Sequence, residues 1–212
     1  MFRTLVMNRG IGRRMFGSAA VAVVALAALT ACSSAPDPAV SGGQTVVDAA
    51  QTGDFLAELG LEGLDAKQAI DKLDRLPTEQ RPSEFTAQVQ PSQLVLTHQS
   101  GRTAWLPMPK DQYYLSAAPY VNQTHSCHFH SLTTCLGELY GEEVKVKASN
   151  AETGEVLVNK SVETFGNGFI GLWVPRGITV DLEFTYEGKT AKSTVSTAGD
   201  TNATCLTQLR LV

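Results

Sequence analysis

The feature that most constrains this chain is a cadence of short β-type segments separated by turn signals, running from Glu84 to the C-terminus. Residues 85–89 alternate apolar and polar side chains. Residues 93–97 and 103–106 flank Gln99-Ser100-Gly101, a hairpin signal. Pro107 and Pro109 interrupt the pattern, and residues 119–124 can form a strand leading into the middle of the chain. Further segments follow at 144–148, 156–158, 169–174, 178–186, 190–197 and 206–212. Turns at 150–154, Asn167-Gly168, Arg176-Gly177 and Glu187-Gly188 divide them. Strands at this spacing bury one face each and predict a β-sandwich-like domain over residues 83–212.

Residues 44–82 carry a different period. Val46, Val47 and Ala50, then Phe55, Leu56 and Leu59, recur near 3.6 residues. Asp65 can cap a helix through Lys67, Ile70, Leu73 and Leu76, which Pro77 stops. The fold class expected is therefore α+β, a small N-terminal helical segment followed by the β-rich domain. Helices this short bury little area alone, so the face at Ala66, Ile70 and Leu73 must pack on the later domain or on a second copy of the chain. A homodimer is one expectation.

The first 31 residues read as an export signal. Arg3, Arg9, Arg13 and Arg14 precede an apolar run at 18–29, too short to span a bilayer. The run ends in Leu29-Thr30-Ala31-Cys32, which resembles a bacterial lipobox, so Cys32 is expected to carry lipid and anchor the chain to a membrane. Arg13-Arg14-Met15-Phe16 resembles a weak twin-arginine signal. Residues 32–43, rich in Ser, Pro and Gly, read as the flexible tether of that anchor. Removal of the signal leaves 13 Lys and Arg against 21 Asp and Glu. That balance disfavours nucleic acid or an anionic surface as a partner.

One stretch stands apart in chemistry. His125-Ser126-Cys127-His128-Phe129-His130, with Cys135 beyond it, holds three of the four histidines and two of the four cysteines. With Cys32 lipidated, Cys127, Cys135 and Cys205 remain, an odd count in a compartment that permits disulfides. Thiolates and imidazoles suit copper, zinc and Fe–S centres, and thiols exchange with disulfides. An extended backbone would put His125 and Cys127 on one face, a helical turn would align Cys127 with His130, and a loop would let Cys127 meet Cys135. Three readings stay open. The first is a copper handler; the second is a thiol–disulfide oxidoreductase, although no Cys-x-x-Cys is present. The third is structural: a Cys127–Cys135 or Cys135–Cys205 disulfide, or a closed zinc site. His98 reads as an exposed strand end, Trp105 and Trp173 as core or edge packing, and Met108 as a surface or gap-filling side chain. Glu138, Glu142 and Glu143 read as a solvated acidic turn, and Tyr113, Tyr114 and Tyr120 as strand edges.

The segments "APYVNQTHSCHFHSLTTCLGEL", "NGFIGLWVPR" and "TCLTQL" resemble the CueP family of periplasmic copper-binding proteins. The resemblance spans most of residues 113–212 and is weaker in the helical segment. It implies that Cys127, Cys135 and Cys205 cluster at the surface of the C-terminal domain and bind copper. His125 and His130 match the family pattern, whereas His128 fills a variable slot. Copper as Cu(I), or Cu(II) with reduction by a thiol pair, and a copper-accepting protein partner are implied with it. The lipobox departs from the enterobacterial form of the family. Residues 144–186 also have the shape of transthyretin-like sandwich modules, an analogy of fold alone.

Overall fold

The computed structural model describes residues 45–212. The export signal at 1–31, the lipid site Cys32 and the tether at 32–43 lie outside the described residues. Two helices come first: α1 (Ala49–Glu58) and α2 (Ala66–Asp74). Asp48 caps α1 by accepting the Gln51 N–H at 2.9 Å. Asp65 caps α2 in a reciprocal box, accepting from Gln68 N–H while Gln68 Oε1 accepts from Asp65 N–H. Residues 45–46, expected to begin the helical segment, form a short strand instead, β1 (Thr45–Val46). The β-branched Thr45, Val46 and Val47 favour extension, and Thr45 and Val47 donate to the carbonyls of Gly101 and Thr103.

Ten more strands follow: β2 (Phe85–Val89), β3 (Gln93–His98), β4 (Arg102–Pro107), β5 (Gln112–Tyr120), β6 (Glu143–Asn150), β7 (Val156–Glu163), β8 (Ile170–Pro175), β9 (Thr179–Tyr186), β10 (Lys189–Ser196) and β11 (Cys205–Arg210). They form three sheets, ordered β1-β4-β3-β2, β10-β9-β6-β7 and β11-β5-β8. Most neighbours are antiparallel, but β1 runs parallel to β4 and β11 parallel to β5. The β3–β4 hairpin turns at Gly101, whose φ of 84° needs a residue without a Cβ.

Two large apolar clusters and a small third one make up the core of the described residues. Phe55, Ile70 and Leu73 of the helices meet Phe85, Leu94 and Leu96 of the first sheet in one. The face of α2 on which the dimer expectation rested is therefore covered within the chain. The second cluster joins the other two sheets through Leu115, Val146, Leu172, Val180 and Phe184. Strand β5 crosses the molecule between β11 and β8 and is buried along nearly its whole length. Tyr113 and Tyr114, expected at strand edges, are instead almost fully enclosed. Met108 is buried as a gap filler, and His98 ends β3 with its ring bonded to Ser100.

Candidate metal centre

The strand expected through residues 119–124 ends at Tyr120. Beyond it the backbone is irregular to Cys135, so the loop geometry holds and neither face alternation nor a helix positions the ligands. Main-chain bonds pin this loop on both sides. His130 C=O accepts from Val89 N–H and Leu132 N–H donates to Ala87 C=O, which stitches the loop to β2. Thr204 and Cys205 N–H both donate to His128 C=O, which draws the start of β11 against it. The Thr204 hydroxyl bridges the two sides, donating to Val89 C=O and accepting from His130 N–H. Glu138 is no idle solvated acid. Its carboxylate accepts from the N–H groups of Val121 and Asn122 and from Asn122 Nδ2, fastening the first half of the loop to the second.

Three sulfurs converge there. Cys127 and Cys205 are joined as a disulfide with Cα atoms 5.7 Å apart, and Cys135 is left as the free thiol. Neither structural pairing expected from the sequence, Cys127–Cys135 or Cys135–Cys205, is the one formed. The parallel approach of β11 to β5 delivers Cys205 to Cys127, 78 residues away in sequence. Cys135 Sγ stands 3.4 Å from Cys127 Sγ. The cluster is also less superficial than the resemblance implied: Cys205 is buried, Cys127 and Cys135 are half-buried, and all three pack on Ala118 and Phe169.

Two groups of three ligand atoms overlap at Cys135, each with its atoms within 4.8 Å of one another. One is His125, Cys127 and Cys135 at the rim. The other is His130, Cys135 and Cys205 inside. With the disulfide reduced, each would offer three donors, a number that suits a thiolate-bound copper ion; a closed structural zinc site takes four. The five residues singled out in the sequence thus come together. His128 does not join them, its Nε2 lying 2.9 Å from Thr201 C=O.

Four residues that sequence reasoning passed over complete the surroundings. Asp74, fully buried at the end of α2, lies 2.9 Å from His130 Nε2. Its position four residues after Ile70 put an acid in the apolar stripe of α2, a signal that was readable. Phe169 stacks near both histidines, 4.5 Å from the His130 ring and 6.3 Å from that of His125. Arg81 Nη1 donates to Cys135 C=O at 2.8 Å, and Thr204 forms the bridge described above.

These neighbours set the charges. Burial opposes a charged His130, but the Asp74 carboxylate outweighs it by charge and hydrogen bond, and His130 is pushed up to about 9. Burial likewise opposes the Cys135 thiolate. The hydrogen bond and charge of His130, the Ser131 N–H and Arg81 outweigh it, and the thiol lies below its ordinary range. Both shifts favour the charged forms, and a thiol with a lowered pKa is the more nucleophilic one.

Residues 68–210 match the family model described as periplasmic copper-binding protein CueP. The chain belongs to the CueP family. A crystal structure of S.CueP superposes with a TM-score of 0.71 at 37% sequence identity, over 78% of this chain and 100% of that one. No curated protein matches the sequence. The CueP match begins inside α2, so it takes in Asp74 as well as the cysteine and histidine cluster.

Proposed function

We propose that this protein binds copper outside the cytoplasmic membrane through Cys127, Cys135 and Cys205, with His130 and His125 as supporting ligands. The observation that carries the reading is the convergence of three sulfurs from two distant segments beside a buried histidine held by a buried carboxylate. Soft Cu(I) prefers two or three thiolates, so the fully reduced site takes Cu(I). Cu(II), which accepts imidazole more readily, meets His125 at the rim first. Oxidation of the Cys127 and Cys205 thiolates to the disulfide releases two electrons, enough to reduce two Cu(II) to two Cu(I), and the pairing of these two sulfurs supports that step. We read the two sheets around the second apolar cluster as a sandwich that carries the site. Residues 44–82 form the helical segment ahead of residues 83–212, and lipid on Cys32 with the tether at 32–43 holds the domain near a membrane.

The deciding experiment titrates Cu(I) into the reduced domain against a chromophoric chelator, with thiols counted before and after Cu(II) is added. Tight one-to-one binding, lost in a variant with Cys127, Cys135 and Cys205 all changed to Ser, is expected. Two thiols should disappear as Cu(II) is reduced. Binding no tighter than in the triple variant would sink the reading.

A further inference from the structure

We propose that Asp74 is a positioning residue of the copper site, holding His130 by Nε2 so that Nδ1 is the nitrogen offered to copper. This rests on the copper-binding reading above and adds helix α2 to the site.

The geometry leaves His130 one free edge. Its ring is completely buried, Nε2 is committed to Asp74 Oδ1 at 2.9 Å, and one face lies on Phe169. Nδ1 points the other way, 3.8 Å from Cys205 Sγ, within the group that includes Cys135. A ring turned over to offer Nε2 would abandon the carboxylate in the interior.

Asp74 is itself held on every side. Oδ1 also accepts from Asn167 Nδ2 at 2.7 Å, and Oδ2 accepts from the Tyr114 hydroxyl at 2.5 Å. Asn167 Nδ2 reaches the main-chain carbonyl of Asp74 as well, at 3.1 Å. Tyr114 comes from β5 and Asn167 from the turn before β8, so three separate parts of the chain converge on one carboxylate. Residue 171 is a glycine where Tyr114 crosses it; a Cβ there would collide with the phenol oxygen.

Helix stability does not explain this arrangement. The end of α2 is closed by a main-chain bond from Arg75 N–H to Leu73 C=O, without the Asp74 side chain. Ala66, Ile70 and Leu73 show that the stripe is built for apolar contact, where a carboxylate is costly unless fully paired. Every bond instead fixes the direction of the carboxylate. A histidine ligand whose second nitrogen donates to a carboxylate keeps one tautomer and gains basicity, and loss of such a partner costs about 10–100-fold in metal affinity.

The test uses the reduced protein labelled with 15N in its histidines. In the wild type, His130 Nε2 should stay protonated with and without Cu(I), and the Nδ1 resonance should move when Cu(I) is added. Movement of Nε2, or of neither nitrogen, overturns the proposal, and this arm holds even if a variant fails to fold. Asp74→Asn should retain three titratable thiols and lose about 10–100-fold in Cu(I) affinity. It should also shift His130 toward the Nδ1–H tautomer. Ile70→Val, a buried change on the same helix that leaves Asp74 untouched, should lower the melting temperature while affinity and tautomer stay as in the wild type. If Ile70→Val lowers affinity as far as Asp74→Asn, the effect is one of helix stability and the proposal falls. Equal binding by wild type and Asp74→Asn overturns only the role of Asp74. A wild type that binds no Cu(I) overturns the copper reading itself and this inference with it.

Discussion

The two histidines that share Cys135 occupy opposite circumstances. His130 is sealed in the interior, bonded to a buried carboxylate and packed on Phe169. His125 sits part-exposed at the rim, with an edge contact to the same phenylalanine and a small cleft beside it lined by Gly137, Glu138 and Tyr140. The loop that carries both is short, so the difference is made by what the rest of the fold brings to each. A fixed ligand gives up its freedom during folding and contributes its full strength on binding. A ligand at the rim can meet an incoming ion and let it go. On the copper-binding reading proposed above, a site with one of each would accept copper at its edge and hold it inside.

The largest break in this contrast is the residue both groups share. Cys135→Ser should cost more Cu(I) affinity than the ~10–100-fold typical of outer-shell changes, as read by chelator competition. It should also remove the one free thiol found among the described residues of the disulfide form. Next comes His130→Gln, which strands the Asp74 carboxylate. Breaking a buried pair from one side costs about 3–5 kcal/mol, measurable by urea denaturation. Stability unchanged within ~0.5 kcal/mol, the range of surface substitutions, would show that the buried pair carries no weight.

The pH response should sharpen the picture. The raised His130 contributes stability that is full below its ordinary value near 6.5 and fades as pH climbs through about 9. The lowered Cys135 contributes stability that is full above the ordinary thiol range and fades as pH falls through its lowered value. The ion pair is thus strongest between these limits. At pH 7 Cys135 should alkylate faster than an ordinary thiol, and His130→Gln should slow it; equal rates would count against the pair. The smallest effect belongs to the rim. His125→Ala should leave the unfolding free energy within ~0.5 kcal/mol of wild type. It should weaken Cu(I) binding less than His130→Gln does, while slowing Cu(II) capture. If His125→Ala proves the more damaging of the two for Cu(I), the order of rim and interior is reversed.

Local chemistry was readable wherever neighbours in sequence decide the outcome. Alternation over Phe85–Val89 and the turns at Gly101 and Gly188 produced strands and hairpins close to their expected places. Asp65 capped α2 as anticipated, although the helix stops at Asp74, short of the Leu76 expected before Pro77, and the odd cysteine count pointed to a thiol left over, which is Cys135. Strand β5 was hard to read for a physical reason. Buried on both faces, it has no polar alternation to reveal it, and Pro119 near its end resembles a breaker.

The sequence by itself determined which candidate ligand types are present and how many, together with the cap of α2 and the hairpin turns, because propensity, capping and turn preference act over a few residues. Only the tertiary structure decided that Cys205 pairs with Cys127, that His130 rather than His125 is the enclosed histidine, and that Asp74 stands behind it 56 residues away. Those outcomes depend on β11 lying parallel to β5 and on α2 packing against the first sheet. Such contacts follow from burying apolar area across the whole chain, and no local pattern records which distant partner wins.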